Sequence, residues 1–325
     1  MIDIEQYLDQ IEIKSENDYS LYKGKTGLSL CYFILYTLTS NVAYEVKAKN
    51  LMDELSENIS DVESLQFSEG LAGIGWAIEW LAQNDYIDAN TDEILEDLDD
   101  ELYKTVVYAK SASLSLETGT IGRAMYFFRR RLARNPGRNR YLQICTDECL
   151  ILLIDEIHDK FLDDDYGFLN KSNALSETEL IDIAQSFLFL IKVYNKKINT
   201  EIIKQLIISI ASFLEIFFSN TECEISSEGY SYLLYAYMKA GTELNDELWI
   251  SRVNTLFAKS KLNISDTADL SARHRYLNAL LSKRFDVENL QKPLNNCNNN
   301  IFDFLITLNF YFPKHKIAWE EGWIL

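Results

Sequence analysis

A chain of 325 residues in which 47% are hydrophobic carries enough apolar material for a large core, which excludes a disordered polymer. Only 3 prolines and 12 glycines interrupt it, and helix-forming residues dominate, so the backbone reads as all-α. A formal net charge of -19 sets aside non-specific binding to nucleic acid or to an anionic membrane, because phosphate is repelled.

The chain begins with "MIDIEQYLDQIEIK", which is acidic and lacks the basic start and apolar core of a secretory signal. The apolar run that follows, "GLSLCYFILYTLTS", is too short and too rich in hydroxyls to span a bilayer. The expectation is a cytoplasmic protein without membrane insertion. That run belongs to the first glycine-led element, "GKTGLSLCYFILY" at Gly24, which precedes the amphipathic "AYEVKAKNLMDELSENI". A second, "GLAGIGWAIEWL" at Gly70, places Gly70, Gly73 and Gly75 where a helix starts, although each glycine inside a helix costs about 1 kcal/mol relative to alanine. It is followed by the acidic "ANTDEILEDLDDELYKTVVYAK", and a third element, "GTIGRAMYFFRR", opens at Gly119.

Within "RAMYFFRRRLARNPGRNR" lie Arg123, Arg129, Arg130, Arg131, Arg134, Arg138 and Arg140. Two readings fit: cations at a helix C-terminus ended by Pro136-Gly137, or a docking patch centred on Arg129, Arg130 and Arg131 for an acidic peptide or partner. Five cysteines, Cys31, Cys145, Cys149, Cys223 and Cys297, are an odd number and read as free thiols, not a disulfide framework. His158 and His315 have no ligand-spaced neighbours and read as incidental.

A fourth element, Ser176 to Lys197, has lost its glycines, and "NTEIIKQLIISIASFLEIFF" follows it. The fifth begins at Gly229 and precedes "NDELWISRVNTLFAKS", and a sixth runs from Asp269 to Lys283. Phe161 to Glu177 and Gln291 to Asn300 read as loops. The first three glycine starts are 46 and 49 residues apart, a period that accommodates two helices and two turns. Six hairpins of an inner, buried helix and an outer, solvated one follow, about a dozen helices in one domain over residues 1–325. Small residues at the inner starts favour an α/α toroid over an open solenoid, since turns approach closely there.

"SEGLAGIGWAIEWL" resembles the G-L-A-G-I-G helix starts of the lanthionine synthetase C-like family, and the repeated G-x-x-G hairpins are similar to that family's α/α toroid. The fourth and fifth units and the closing "IAWEEGWIL" follow the same order. The resemblance implies a site in which the cysteine of a W-C-x-G motif and the pair of a C-H-G motif hold zinc. The metal keeps a peptide thiol as thiolate for addition to a dehydrated serine or threonine. Here the first motif falls on Ser226-Ser227-Glu228-Gly229 and the second on Arg273-His274-Arg275. The family's histidine in the fourth unit falls on Asp182-Ile183.

On that alignment Ser227, Arg273 and His274 occupy the ligand positions, and neither a zinc site nor any other cofactor is expected. If the register differs, Cys223 approaches the site, zinc returns and the chain is an active lanthionine cyclase. Glu69, Glu117, Asp182 and Glu228 stand near inner-helix starts, where the macrodipole favours acids by about 0.3 to 1 kcal/mol. As a group, with His274, Arg273 and Arg275 nearby, they would alternatively suit acid/base work. Three functions follow. The first is a zinc-less pseudo-cyclase, a pseudoenzyme of lantibiotic-type maturation that binds a precursor peptide or its modifying enzyme. The others are a glycosidase-type hydrolase using Asp182 and Glu228, with His274 nearby, and a structural interaction scaffold.

Overall fold

The computed structural model describes residues 17–137, 139–163, 167–170, 175–220, 228–259 and 271–284, together with Leu8, Ile301, Phe304, Leu305 and Leu308. Among these residues there are twelve α-helices and no strand. They are α1 (Lys25–Thr39), α2 (Val42–Asn58), α3 (Leu71–Gln83), α4 (Thr91–Ile94), α5 (Glu96–Tyr108) and α6 (Thr120–Arg131). The series continues with α7 (Arg140–Leu162), α8 (Glu177–Asn195), α9 (Thr200–Asn220), α10 (Glu228–Glu243), α11 (Glu247–Lys259) and α12 (Ala272–Arg284). The described residues fall into two compact units, the first up to Leu153 and again from Ile301 to Leu308, the second from Ile154 to Arg284.

The alternation expected from the sequence is present in the first unit. In α3 every side chain from Ala72 to Leu81 is buried, and α1 and α6 are nearly as enclosed. By contrast α2 buries only Ala48, Leu51 and Leu55, the narrow stripe of a helix with one face in water. The acidic stretch after α3 is not one helix. A single turn, α4, capped by the Asn90 side chain on the Asp92 amide, ends at the buried Leu95 before α5 begins.

The glycines at the helix starts answer to close approach. A Cβ on Gly70 would lie 2.2 Å from the carbonyl oxygen of Ser64, and one on Gly73 would lie 1.8 Å from that of Phe67. The same six-residue offset recurs at Gly24 and Gly27 and at Gly119 and Gly122, so each lead-in loop lies flat on the helix that it starts. The loops are also joined edge to edge. Tyr22 donates its amide to Ser68 O (3.1 Å), Ser68 donates to Glu117 O (2.9 Å), and Ile301 donates to Tyr22 O (3.1 Å). Each of Tyr22, Ser68 and Glu117 lies two residues before its glycine.

In the second unit α8 starts without a glycine. Ser176 caps it instead in a box: Ser176 Oγ accepts from the Glu179 amide (3.3 Å) and Glu179 Oε2 from the Ser176 amide (2.8 Å). α10 then packs on α8 so tightly that a Cβ on Gly229 would meet the Leu180 Cβ at 2.7 Å. α9 contains the one segment among the described residues, Thr200–Ser219, long and apolar enough to cross a membrane. It buries Ile203, Leu206, Ile207, Ile210, Leu214 and Phe218, the pattern of a core-facing helix.

Cys31 and Cys149 are buried and burial pushes both thiols up, as expected of structural cysteines. Arg138, Cys223, Ser226, Ser227, Cys297, His315, the loop Gln291 to Asn300 and "IAWEEGWIL" lie outside the described residues.

Candidate functional site

In the second unit the starts of α10 and α12 are tied by charged and polar side chains. Glu228, the first residue of α10, accepts from Arg273 Nε through Oε1 and from Ser271 Oγ through Oε2 (2.7 Å). Ser271 in turn accepts the His274 amide (3.0 Å), so one hydroxyl both caps α12 and orients the carboxylate. The Arg273 guanidinium sits 5.6 Å from the centre of the Tyr232 ring, in cation–π range. Burial works against the Glu228 charge, but Arg273, the Ser271 hydroxyl and His274 outweigh it and hold the carboxyl below the usual range. Burial also raises the Tyr232 phenol to about 12.

Beneath this pair lies His274, 2% exposed. Its Nε2 is 3.2 Å from Ser231 Oγ, which donates to Asn278 Oδ1 (3.0 Å). Asp182 is buried in α8, where its carbonyl accepts from Ser186 Oγ (2.7 Å), and Arg275 is half-buried on α12. Glu177 Oε1 accepts the Gly229 amide (2.6 Å), a contact that the sequence reading did not single out.

The first unit holds the other candidates, and it corrects one of them. Arg130 is 3% exposed and cannot belong to a docking patch. Its Nε and Nη2 grip both oxygens of Asp99 (2.6 to 3.1 Å), and its Nη1 reaches Glu79 Oε2 (2.7 Å) and Thr91 Oγ1 (3.2 Å). Asp92 stands 3.4 Å from Nη2, and Tyr126 donates to Asp99 Oδ1 (2.5 Å). Burial opposes the guanidinium charge, yet Asp99, Tyr126 and Glu79 together raise its pKa further.

Three other arginines of the run also have partners within the chain. Arg123 Nη1 donates to the carbonyls of Thr105 and Ala109 at the end of α5, Arg131 pairs with Asp147, and Arg129 is half-buried with contacts of its own. A helical pattern shows that arginines share a segment, but not that one of them turns inward to meet acids 31 and 51 residues earlier. Glu69 and Glu117 are exposed on adjoining loops of this unit, and Glu69 pairs with Lys23 (3.1 Å).

A family model described as lanthionine synthetase C-like protein matches residues 15–176. The chain belongs to the lanthionine synthetase C-like family. Among solved structures, nisin cyclase matches with a TM-score of 0.59 at 14% identity, covering 99% of this chain and 96% of that one. The shared fold is the α/α toroid of helical hairpins. No curated protein matches.

The family match ends at the cap of α8, so the Glu228–Arg273 network lies beyond it. Of the residues expected from the sequence at metal-ligand positions, Arg273 and His274 are described, and Arg273 does not fit zinc. A guanidinium has no lone pair to offer and remains cationic, and His274 Nε2 faces the Ser231 hydroxyl at 3.2 Å. No group of three or more His, Cys, Asp or Glu side chains suited to a metal occurs among the described residues. The network is suited to fixing two helix starts against each other and to presenting a half-buried cation beside an aromatic face.

Proposed function

We propose that this member of the lanthionine synthetase C-like family binds a precursor peptide, or the enzyme that modifies one, and does not itself close thioether rings on zinc. The observation that carries the reading is Arg273. At a position aligned with a metal-binding cysteine, it engages Glu228 and stacks on Tyr232, occupying the space with a fixed positive charge. The family acts on peptides, which supports a peptide as partner. The Glu228 carboxylate is engaged by Arg273 and by the Ser271 hydroxyl, which commits it to joining two helix starts.

The test is the metal content of the chain purified without a metal-binding tag or chelator, before and after exposure to zinc. No stoichiometric zinc is expected in either sample. About one tightly held zinc per chain would overturn the reading and restore thioether cyclisation, because such a site closes only with three or four protein ligands.

A further inference from the structure

Arg130 turns inward, and the surface of the helix that follows has a different character. On α7, Tyr141 is 70% exposed, Ile144 56%, Ile151 43% and Leu152 39%. Together with Glu148 they stand at intervals of 3, 4, 3 and 1 residues, which at 100° per residue is a single face about 100° wide. Four large apolar side chains lined up on one exposed face are unusual for a solvated helix, and such patches mark interaction sites.

The stripe is flanked and interrupted by acids. Glu148 lies within it, and Tyr103 of α5 reaches to 3.5 Å of Glu148 Oε2, so α5 lies alongside. From α5 the exposed Asp100 lies near the stripe: the Tyr141 phenol is raised first by Cys145 and then, after burial, by the charge of Asp100. Two cations of this unit are paired, Lys104 with Glu101 (2.6 Å) and Arg131 with Asp147, while Arg140 stands at the start of α7.

We infer that the α5–α7 face docks a cationic amphipathic helix of a partner polypeptide. Its apolar side would cover Tyr141, Ile144, Ile151 and Leu152, and its lysines or arginines would meet Glu148 and Asp100. Charge selects this occupant over others. A second copy of a chain with net charge -19 is repelled, as is an anionic lipid surface, while a basic segment is steered in and held. The inference rests on the reading of the chain as a polypeptide-binding protein. It also reverses the expectation drawn from the arginines, since the partner selected is basic, not acidic.

The test is the affinity of the full chain for a synthetic leucine–lysine amphipathic helix of about five turns, read by fluorescence anisotropy, with a leucine–glutamate helix as counter-probe. Ile144→Ser combined with Ile151→Ser, both exposed and compatible with folding, is expected to weaken binding at least about tenfold. Asp100→Asn with Glu148→Gln should weaken it several-fold and flatten its salt dependence. Asp53→Asn with Glu57→Gln, on the exposed face of α2, should leave it unchanged.

Equal weakening by the α2 variants would reduce the effect to general charge attraction and overturn the proposal. So would equal binding of the leucine–glutamate helix, or a concentration-dependent dimer in sedimentation that Ile144→Ser abolishes. Metal content does not enter this measurement, so failure here and failure of the zinc-less reading are distinguishable.

Discussion

Arg130 and Arg273 are both held by carboxylates on neighbouring helices, but they are satisfied in different ways. Around Arg130 stand Glu79, Asp92 and Asp99, from α3, α4 and α5, with a tyrosine and a threonine completing the shell, and almost none of it reaches solvent. Arg273 has one carboxylate and one aromatic face and remains 23% exposed. An arginine enclosed by three acids is part of the fold, because removing it strands charge in the interior. One that meets a single acid at the junction of two helix starts is a local solution, because it ties together only the two starts it joins.

The largest expected effect breaks the first network. Arg130→Met, similar in length but neutral, leaves Glu79 and Asp99 buried without their cation and should cost about 3 to 5 kcal/mol in urea unfolding. Arg130→Lys should recover little of this, because an ammonium cannot grip both oxygens of Asp99 while reaching Glu79 and Thr91. A loss below about 1 kcal/mol for Arg130→Met would erase the distinction between the two sites, since a change of that size is ordinary for a surface position.

The second effect is smaller and depends on pH. Glu228→Gln keeps the shape of the side chain but loses charge-assisted bonds to Arg273 and Ser271, at a cost of about 1.5 to 3 kcal/mol near neutrality. The folded-state pKa of Glu228 is depressed, so the unfolded chain takes up the proton first as pH falls. The stabilisation is complete above the ordinary glutamate value of about 4.3 and is lost as pH drops through the lower folded value. Wild type and Glu228→Gln should therefore differ most above that range and converge in acid. A difference that stays constant down to acid would show that the loss is one of packing.

Much of this architecture was legible beforehand because periodicity and close approach leave marks in sequence. The spacing of Gly24, Gly70 and Gly119 marked the repeats, and the gap before Gly229 left room for a fourth, Ser176 to Lys197, whose glycines had gone. The 23-residue α7 was less visible. Its exposed face carries Tyr141, Ile144, Ile151 and Leu152, which weakens the contrast between apolar and polar sides on which sequence patterning relies. The role of Arg130 was hidden for another reason. Its partners Glu79 and Asp99 come from other helices, and nothing local in "YFFRRRLAR" separates the inward arginine from its neighbours. In the second unit, the pairing of Glu228 with Arg273 spans 45 residues and could be suspected only from their positions at helix starts.

The smallest predicted effect sharpens the comparison most, because it holds sequence position constant. Glu69 and Glu228 each directly precede the glycine of an inner helix, and each pairs with a cation from a neighbouring repeat, Lys23 and Arg273 respectively. The side chains of Lys23 and Glu69 are 61% and 55% exposed, against 23% and 18% for Arg273 and Glu228. Water and salt screen the first pair, so a double-mutant cycle of Lys23→Ala and Glu69→Ala should give a coupling of about 0.2 to 1 kcal/mol. It should fade as ionic strength rises and the Debye length falls below about 8 Å. The same cycle on Arg273 and Glu228 should give a larger coupling that persists in salt. If the two couplings are equal, position at the helix start governs both pairs, and burial is not what distinguishes the second unit's network.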